Sequence, residues 1–200
     1  AGKSLLVKFL IVQLMSKNSS EIGLKSYANH IPFRIELRKY NEVRENKSII
    51  EYLADLISKE MQTPISSEIL LEIIKTQNTI LFFDGLDEIF NVTHKSKMKE
   101  MIESFTSNYK LSKCVVTSRF IGYHDIKFNS KKFDEFAIQN FDENQITELV
   151  TKFYKSQISN QDRRNKTIND CLSQIQNDVD IELKSNPLIM TLILILSSNN

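Results

Sequence analysis

Two short stretches carry side chains that could do chemistry together. Near the start, Gly2, Lys3 and Ser4 stand in the string AGKS. Near the middle, Asp84, Asp87 and Glu88 follow an apolar run in TILFFDGLDEI, Thr79 to Ile89. A phosphate-binding loop reads G-x-x-x-x-G-K-[ST] and opens a helix. Gly2, Lys3 and Ser4 match its last three positions, and a helical pattern follows. Backbone N–H groups at a helix start cradle phosphate oxygens. In such a loop the lysine neutralises the β and γ phosphates, and the hydroxyl ligates Mg²⁺. The tripeptide GKS alone is also what chance produces.

Asp84 ends the apolar run, as a second magnesium ligand requires. In parallel α/β sheets, ligands sit at the carboxyl ends of strands. Gly85 then lets the chain turn sharply. Asp87 and Glu88 follow closely enough to face the same cavity, and one of them would polarise or orient an attacking water. Three buried like charges repel, and a bound divalent cation would resolve that. The competing reading is an acidic turn capping the next helix, for Asp87 in particular.

Two further strings belong to the same argument. CVVTSR delivers Thr117, Ser118 and Arg119 to the end of a second apolar run. A hydroxyl or guanidinium there could sense the γ-phosphate; the alternative is a surface arginine at a strand end. In NPLIM, Pro187 could pack flat against a purine; the alternative is a proline at the first position of a buried helix.

These groups need elements to position them. Ser4–Met15 is apolar on almost every side, which predicts a helix covered by neighbours on most faces. IPFRIEL, Ile31–Leu37, reads as a strand. Ser48–Met61 and Ser66–Thr76 read as amphipathic helices, the second opened by capping serines. Thr79–Phe83 and Cys114–Thr117 read as short buried strands, Lys95–Tyr109 as an exposed helix, and Phe133–Ile138 as an edge strand. Asn91–Lys97 and Phe120–Lys132 read as loops. Asp142 and Gln145 have capping-box spacing before a helix. Arg163–Asn177 reads as a polar amphipathic helix. Asn186 and Pro187 open a last, buried one. Strands alternate with helices to about residue 138, and helices follow alone. That order predicts α/β: a mostly parallel sheet flanked by helices, then a small helical segment.

Composition narrows the class. The 200 residues are 41% hydrophobic and 26% charged, as in ordinary globular domains. Lys plus Arg number 26 against 25 for Asp plus Glu. No basic stripe of the kind that marks a nucleic-acid binder stands out. With two cysteines, Cys114 and Cys171, a disulfide framework is not expected and a reducing cytoplasm is; Cys114 reads as a small core hydrophobe. His30, His94 and His124 stand alone, without metal-ligand spacing. The longest apolar stretch, Leu188–Leu196, is far shorter than the ~20 residues of a membrane span, and no signal-peptide pattern opens the chain. Beginning with Ala and ending in SSNN after an apolar helix, the sequence reads as a fragment cut at both ends.

Taken in order, AGKS, IPFRIEL, LFFDGLDEI, VVTSR and NPL resemble the NACHT family of signal-transducing P-loop NTPases, within the STAND class. DGLDE after an apolar strand is the most specific element, and the resemblance covers nearly the whole chain. It implies a P-loop NTPase fold with residues 1–139 as the nucleotide-binding core and 140–200 as the start of a helical subdomain. It implies binding of ATP or GTP with Mg²⁺, slow hydrolysis, and control of homo-oligomerisation by nucleotide state. Lys3 and Ser4 carry over as the phosphate-loop pair, Asp84 as the metal ligand, and Glu88 or Asp87 as the water-orienting acid. Arg119 carries over as a sensor and Pro187 as the base-packing proline. Phe120 departs from the family, which often has proline after that arginine. The resemblance puts the rest of the phosphate loop and its strand before Ala1. It therefore implies a weakly stable fragment that binds nucleotide weakly, and tighter binding by an N-terminally extended chain.

Three functions compete: an NTP-hydrolysing switch in a cytoplasmic signalling or defence sensor; a non-catalytic nucleotide-gated scaffold; and an AAA+-like motor acting on nucleic acid, against which the near-neutral charge argues. No membrane partner is expected.

Overall fold

The computed structural model describes residues 2–16, 24–121, 123 and 126–198; Ala1 and His124 lie outside them. The described residues fall into two compact units, one running from Lys3 to Glu135, the other comprising Gly2 and the chain from Phe136 onward.

The first unit is built on a three-stranded parallel sheet in the order β1 (Ile31–Glu36), β2 (Thr79–Asp84), β3 (Ser112–Val116). All six residues of β2 are buried, as expected for a central strand with helices on both faces. Its side chains alternate. Leu81 and Phe83 enter the larger core, with Ile35 of β1 and with Leu53, Leu70, Ile74, Ile102 and Phe105 of the helices α3 (Ile49–Met61), α4 (Ser67–Thr76) and α5 (Val92–Asn108). Ile80 and Phe82 face the other way and pack with Val7 and Leu14 of α1 (Lys3–Met15). A period of two therefore assigns Asp84, two residues after Phe82, to the α1 side of the sheet. Ile31–Glu36 pairs residue for residue with Thr79–Asp84, so Glu36 lies beside Asp84 and Arg34 beside Phe82.

Caps fix the helix starts. Ser48 and Glu51 form a reciprocal capping box on α3, and Ser66 accepts from the Ile69 N–H on α4. A short helix missed from the sequence, α2 (Leu37–Val43), follows β1 directly and buries Leu37 and Tyr40. Asn91 is the cap of α5, accepting from the His94 N–H, so Asn91–Lys97 is a helix start rather than a loop.

The second unit holds α6 (Glu143–Gln157), α7 (Gln161–Asp178), the single-turn α8 (Ile181–Lys184) and α9 (Pro187–Ser198). Its core joins Ile146, Val150 and Tyr154 of α6 to Cys171 and Ile175 of α7 and to Met190 and Leu194 of α9. Asp142 and Gln145 form the expected capping box. Asn186 Oδ1 accepts from the Leu188 and Ile189 N–H groups at the start of α9.

Three expectations are corrected. Phe133–Ile138 forms no strand: a strand needs a ladder to satisfy its backbone, and none of its groups pairs with the sheet, whose described members are β1, β2 and β3. The helix α1 is not covered on most faces, since Leu5, Phe9, Val12 and Met15 are exposed. Nor is α9 wholly buried, because Leu192, Ile195 and Leu196 are exposed. Uniform apolarity hides which face a helix turns inward, because no polar stripe marks the other.

Candidate nucleotide site

The predicted chemistry meets at the carboxyl end of β2. Lys3 and Ser4 open α1, and α1 packs on the face to which Asp84 points. The Ser4 hydroxyl lies near enough to the Asp84 carboxylate to help hold its pKa down. Lys3 Nζ lies 3.7 Å from Asp87 Oδ1, and both side chains are largely buried. Gly2, just before them, has φ +92° and open space where a Cβ would stand. That left-handed conformation favours glycine.

Asp84 is 4% exposed, and both of its oxygens are engaged. Oδ1 accepts from Thr117 Oγ1 at 2.7 Å, and Oδ2 pairs with Arg34 Nη2 at 2.7 Å. Burial pushes the Asp84 carboxyl up, but hydrogen bonds from Arg34, Thr117 and Ser4, with the Arg34 charge, outweigh it and hold the pKa below its ordinary value. The group is a buried, ionised acceptor.

Gly85 follows with φ +86°, and a Cβ there would come within 3.0 Å of the Glu88 side chain. The chain then makes a single 3-10 turn, Leu86–Glu88. The two acids of that turn differ. Asp87 is held three ways: by Lys3, by the Arg119 backbone N–H at 2.9 Å and by Arg119 Nε at 3.1 Å. Glu88 is exposed and folds back over Gly85; no cation or hydrogen-bond donor holds its carboxylate among the described residues.

The three acids are therefore not three buried like charges awaiting a metal. Asp84 is buried, Asp87 partly so and Glu88 exposed, and the chain's own Arg34, Lys3 and Arg119 balance Asp84 and Asp87. Thr117 lies just past β3 and is spent on Asp84 and on the Gly85 N–H. Among the described residues Ser118 bonds only locally, to the Arg119 carbonyl. Pro187 belongs to the second unit and stands at the first position of α9.

A family model, NACHT domain, matches residues 1–157. The chain belongs to the NACHT family. It is accordingly a nucleotide-binding P-loop NTPase module, and the three-stranded parallel sheet flanked by helices fits that fold. Neither curated proteins nor solved structures gave a match. No described helix is long and apolar enough to cross a membrane.

The donor set of this NACHT domain suits magnesium. Ser4 and Asp84 offer hard oxygens at one point, and Mg²⁺ is commonly held by one or two protein oxygens together with substrate phosphates and water. Among the described residues no three His, Cys, Asp or Glu gather to hold a metal by themselves, so substrate oxygens would complete the shell.

Sequence reading missed Arg34, which it treated as one more residue of a strand. The available signal was a cation, with Glu36 two residues on, set in the largely apolar IPFRIEL. It named Thr117 only as a γ-phosphate sensor; the structure instead makes Thr117 a partner of Asp84.

Proposed function

We propose that this NACHT domain binds ATP or GTP with Mg²⁺, hydrolyses it slowly, and uses nucleotide state to switch conformation and homo-oligomerisation within a multidomain cytoplasmic sensor for signalling or defence. The observation that carries the reading is the double convergence of Ser4 on Asp84 and of Lys3 on Asp87 at one end of a parallel sheet. Lys3 leaves Asp87 for the β and γ phosphates, with Gly2 giving the backbone its approach. Ser4 and Asp84 would hold Mg²⁺, which would supply charge neutralisation on the phosphates. Glu88 orients the attacking water and takes its proton, because its carboxylate is free while that of Asp87 is committed. Arg119, anchored on Asp87 and exposed at its guanidinium, reports the loss of the γ-phosphate. Residues 1–139 form the nucleotide-binding core, and 140–200 begin a helical subdomain.

The test is fluorescent nucleotide titration of the chain and of Lys3→Ala with Mg²⁺ present, alongside light scattering with ADP and with a non-hydrolysable triphosphate. Saturable binding that Lys3→Ala weakens about a hundredfold is expected, since a charge-assisted contact to phosphate is lost. Larger particles should appear only with the triphosphate. Equal binding by Lys3→Ala would refute the phosphate site, and identical scattering with both nucleotides would refute the switch.

A further inference from the structure

Glu36 and Asp84 are register partners on adjacent parallel strands. Their side chains leave the same face of the sheet from backbones ~4.8 Å apart. Two carboxylates so placed repel each other unless a cation joins them. Arg34, two residues before Glu36 and so on the same face, is that cation. Its Nη1 lies 3.0 Å from Glu36 Oε1 and its Nη2 lies 2.7 Å from Asp84 Oδ2. Among the described residues, Arg34 supplies the only ion pair to Asp84.

Two details bear on how firmly Arg34 is held. Arg34 Nε is buried and has no hydrogen-bond partner among the described residues, which hold the guanidinium through its two terminal nitrogens. Glu36 is far more exposed than Asp84, at 38% against 3% of the side chain, and it also pairs with Lys39 at 2.7 Å. Arg34 thus has a hydrated carboxylate beside it on which to settle when it leaves the buried one. A guanidinium and a divalent cation on one carboxylate repel strongly at a partly buried site. Only one of them can be the close counter-ion of Asp84.

We propose that Arg34 is a resident counter-cation: it holds Asp84 while no metal is bound and yields it to Mg²⁺ by shifting onto Glu36, so that the Arg34–Glu36 pair sets the metal threshold of the site. This rests on the reading of Asp84 as the metal ligand, and it adds a positioning residue that the motif does not contain.

The experiment measures Mn²⁺ binding to the full chain without nucleotide, from the electron paramagnetic resonance signal of free Mn²⁺, together with the melting temperature with and without Mn²⁺. Arg34→Met should tighten Mn²⁺ binding about tenfold or more, as expected when a neighbouring positive charge is removed. Its melting temperature should fall without metal and recover with it. Glu36→Gln should shift binding the other way, because Arg34 loses its second seat. Arg34→Lys, which keeps the charge but cannot bridge both acids, should fall between wild type and Arg34→Met, and it serves if Arg34→Met does not fold. Mn²⁺ binding no tighter in Arg34→Met or Arg34→Lys than in wild type, including no binding by any of them, overturns the proposal. So does a Glu36→Gln shift in the same direction as that of Arg34→Met. Nucleotide titration run in parallel keeps the two ideas apart: binding that depends on Lys3 with unaltered metal affinity in the Arg34 variants removes the counter-cation alone. Altered metal affinity without any nucleotide binding removes the nucleotide reading alone.

Discussion

Thr117 and Asp84 are locked together across the sheet: Thr117 Oγ1 donates to Asp84 Oδ1 at 2.7 Å and accepts from the Gly85 N–H at 2.9 Å. The backbone repeats the join, with the Thr117 N–H on the Phe83 carbonyl and the Leu86 N–H on the Thr117 carbonyl, each at 2.9 Å. One hydroxyl thus orients the acid and closes the turn after it. Thr117→Val keeps the shape and removes the hydroxyl, leaving a donor and an acceptor partly buried without partners. We expect a loss of about 1–3 kcal/mol, read from urea denaturation midpoints. Thr117→Ser should recover most of it.

Gly85 holds φ +86° with the Glu88 side chain 3.0 Å from where a Cβ would stand. Gly85→Ala combines a left-handed backbone strain of about 1–3 kcal/mol with a displaced Glu88. Lower thermal stability and slower turnover should therefore appear together. A variant as stable as wild type would show that the turn relaxes without cost.

Asp87 and Glu88 should separate in kinetics. Glu88→Gln should lower the hydrolysis rate about a hundredfold or more, the usual scale of general-base loss, with nucleotide affinity little changed. Asp87→Asn should instead weaken the hold on Lys3 and Arg119 and alter affinity. Single-turnover hydrolysis beside equilibrium binding checks both. Normal turnover in Glu88→Gln would pass the water-orienting role back to Asp87, while triphosphate-driven assembly without any turnover in the wild type would favour a scaffold.

The Glu36 carboxyl is held below its ordinary value, first by the hydrogen bond from Lys39, with burial opposing and Arg34 adding to the effect. A depressed carboxylate pKa means that the stabilisation is fully present above the unfolded value, near 4.5, and disappears as pH falls through the folded one. Denaturation midpoints followed downward from pH 6 should decline for wild type below about pH 4.5 more steeply than for Glu36→Gln. Parallel curves would mean that Glu36 gains nothing from its cations.

Much of this was legible in one dimension because the signals are local. Partial alternation marked β1, and a short continuous apolar run marked β2 as a buried strand. Ser66, Asp142 and Asn186 announced helix starts, since a cap bonds within its own turn. The strings GKS and DGLDE, with the apolar run before the second, were enough to identify the residues that meet. What the sequence left open depends on distant partners. Phe133–Ile138 has strand-like alternation and no ladder. The all-apolar α1 and α9 carry no mark of which face lies inward, and packing against β2 and against α6 and α7 chose Val7 and Leu14, and Met190 and Leu194.

By itself, then, the sequence determined the family, most of the strands and helices, and the motif residues Lys3, Ser4, Asp84, Asp87 and Glu88, because type and spacing along the chain carry that information. Only the tertiary structure decided how those charges are shared. The register of β1 on β2 puts Glu36 beside Asp84 and brings Arg34 to both. The end of β3 brings Thr117 to Asp84 and Arg119 to Asp87. Among the described residues, Glu88 alone is left free in that turn. Charge pairing depends on distances of a few ångströms between residues far apart in sequence, and folding sets those distances.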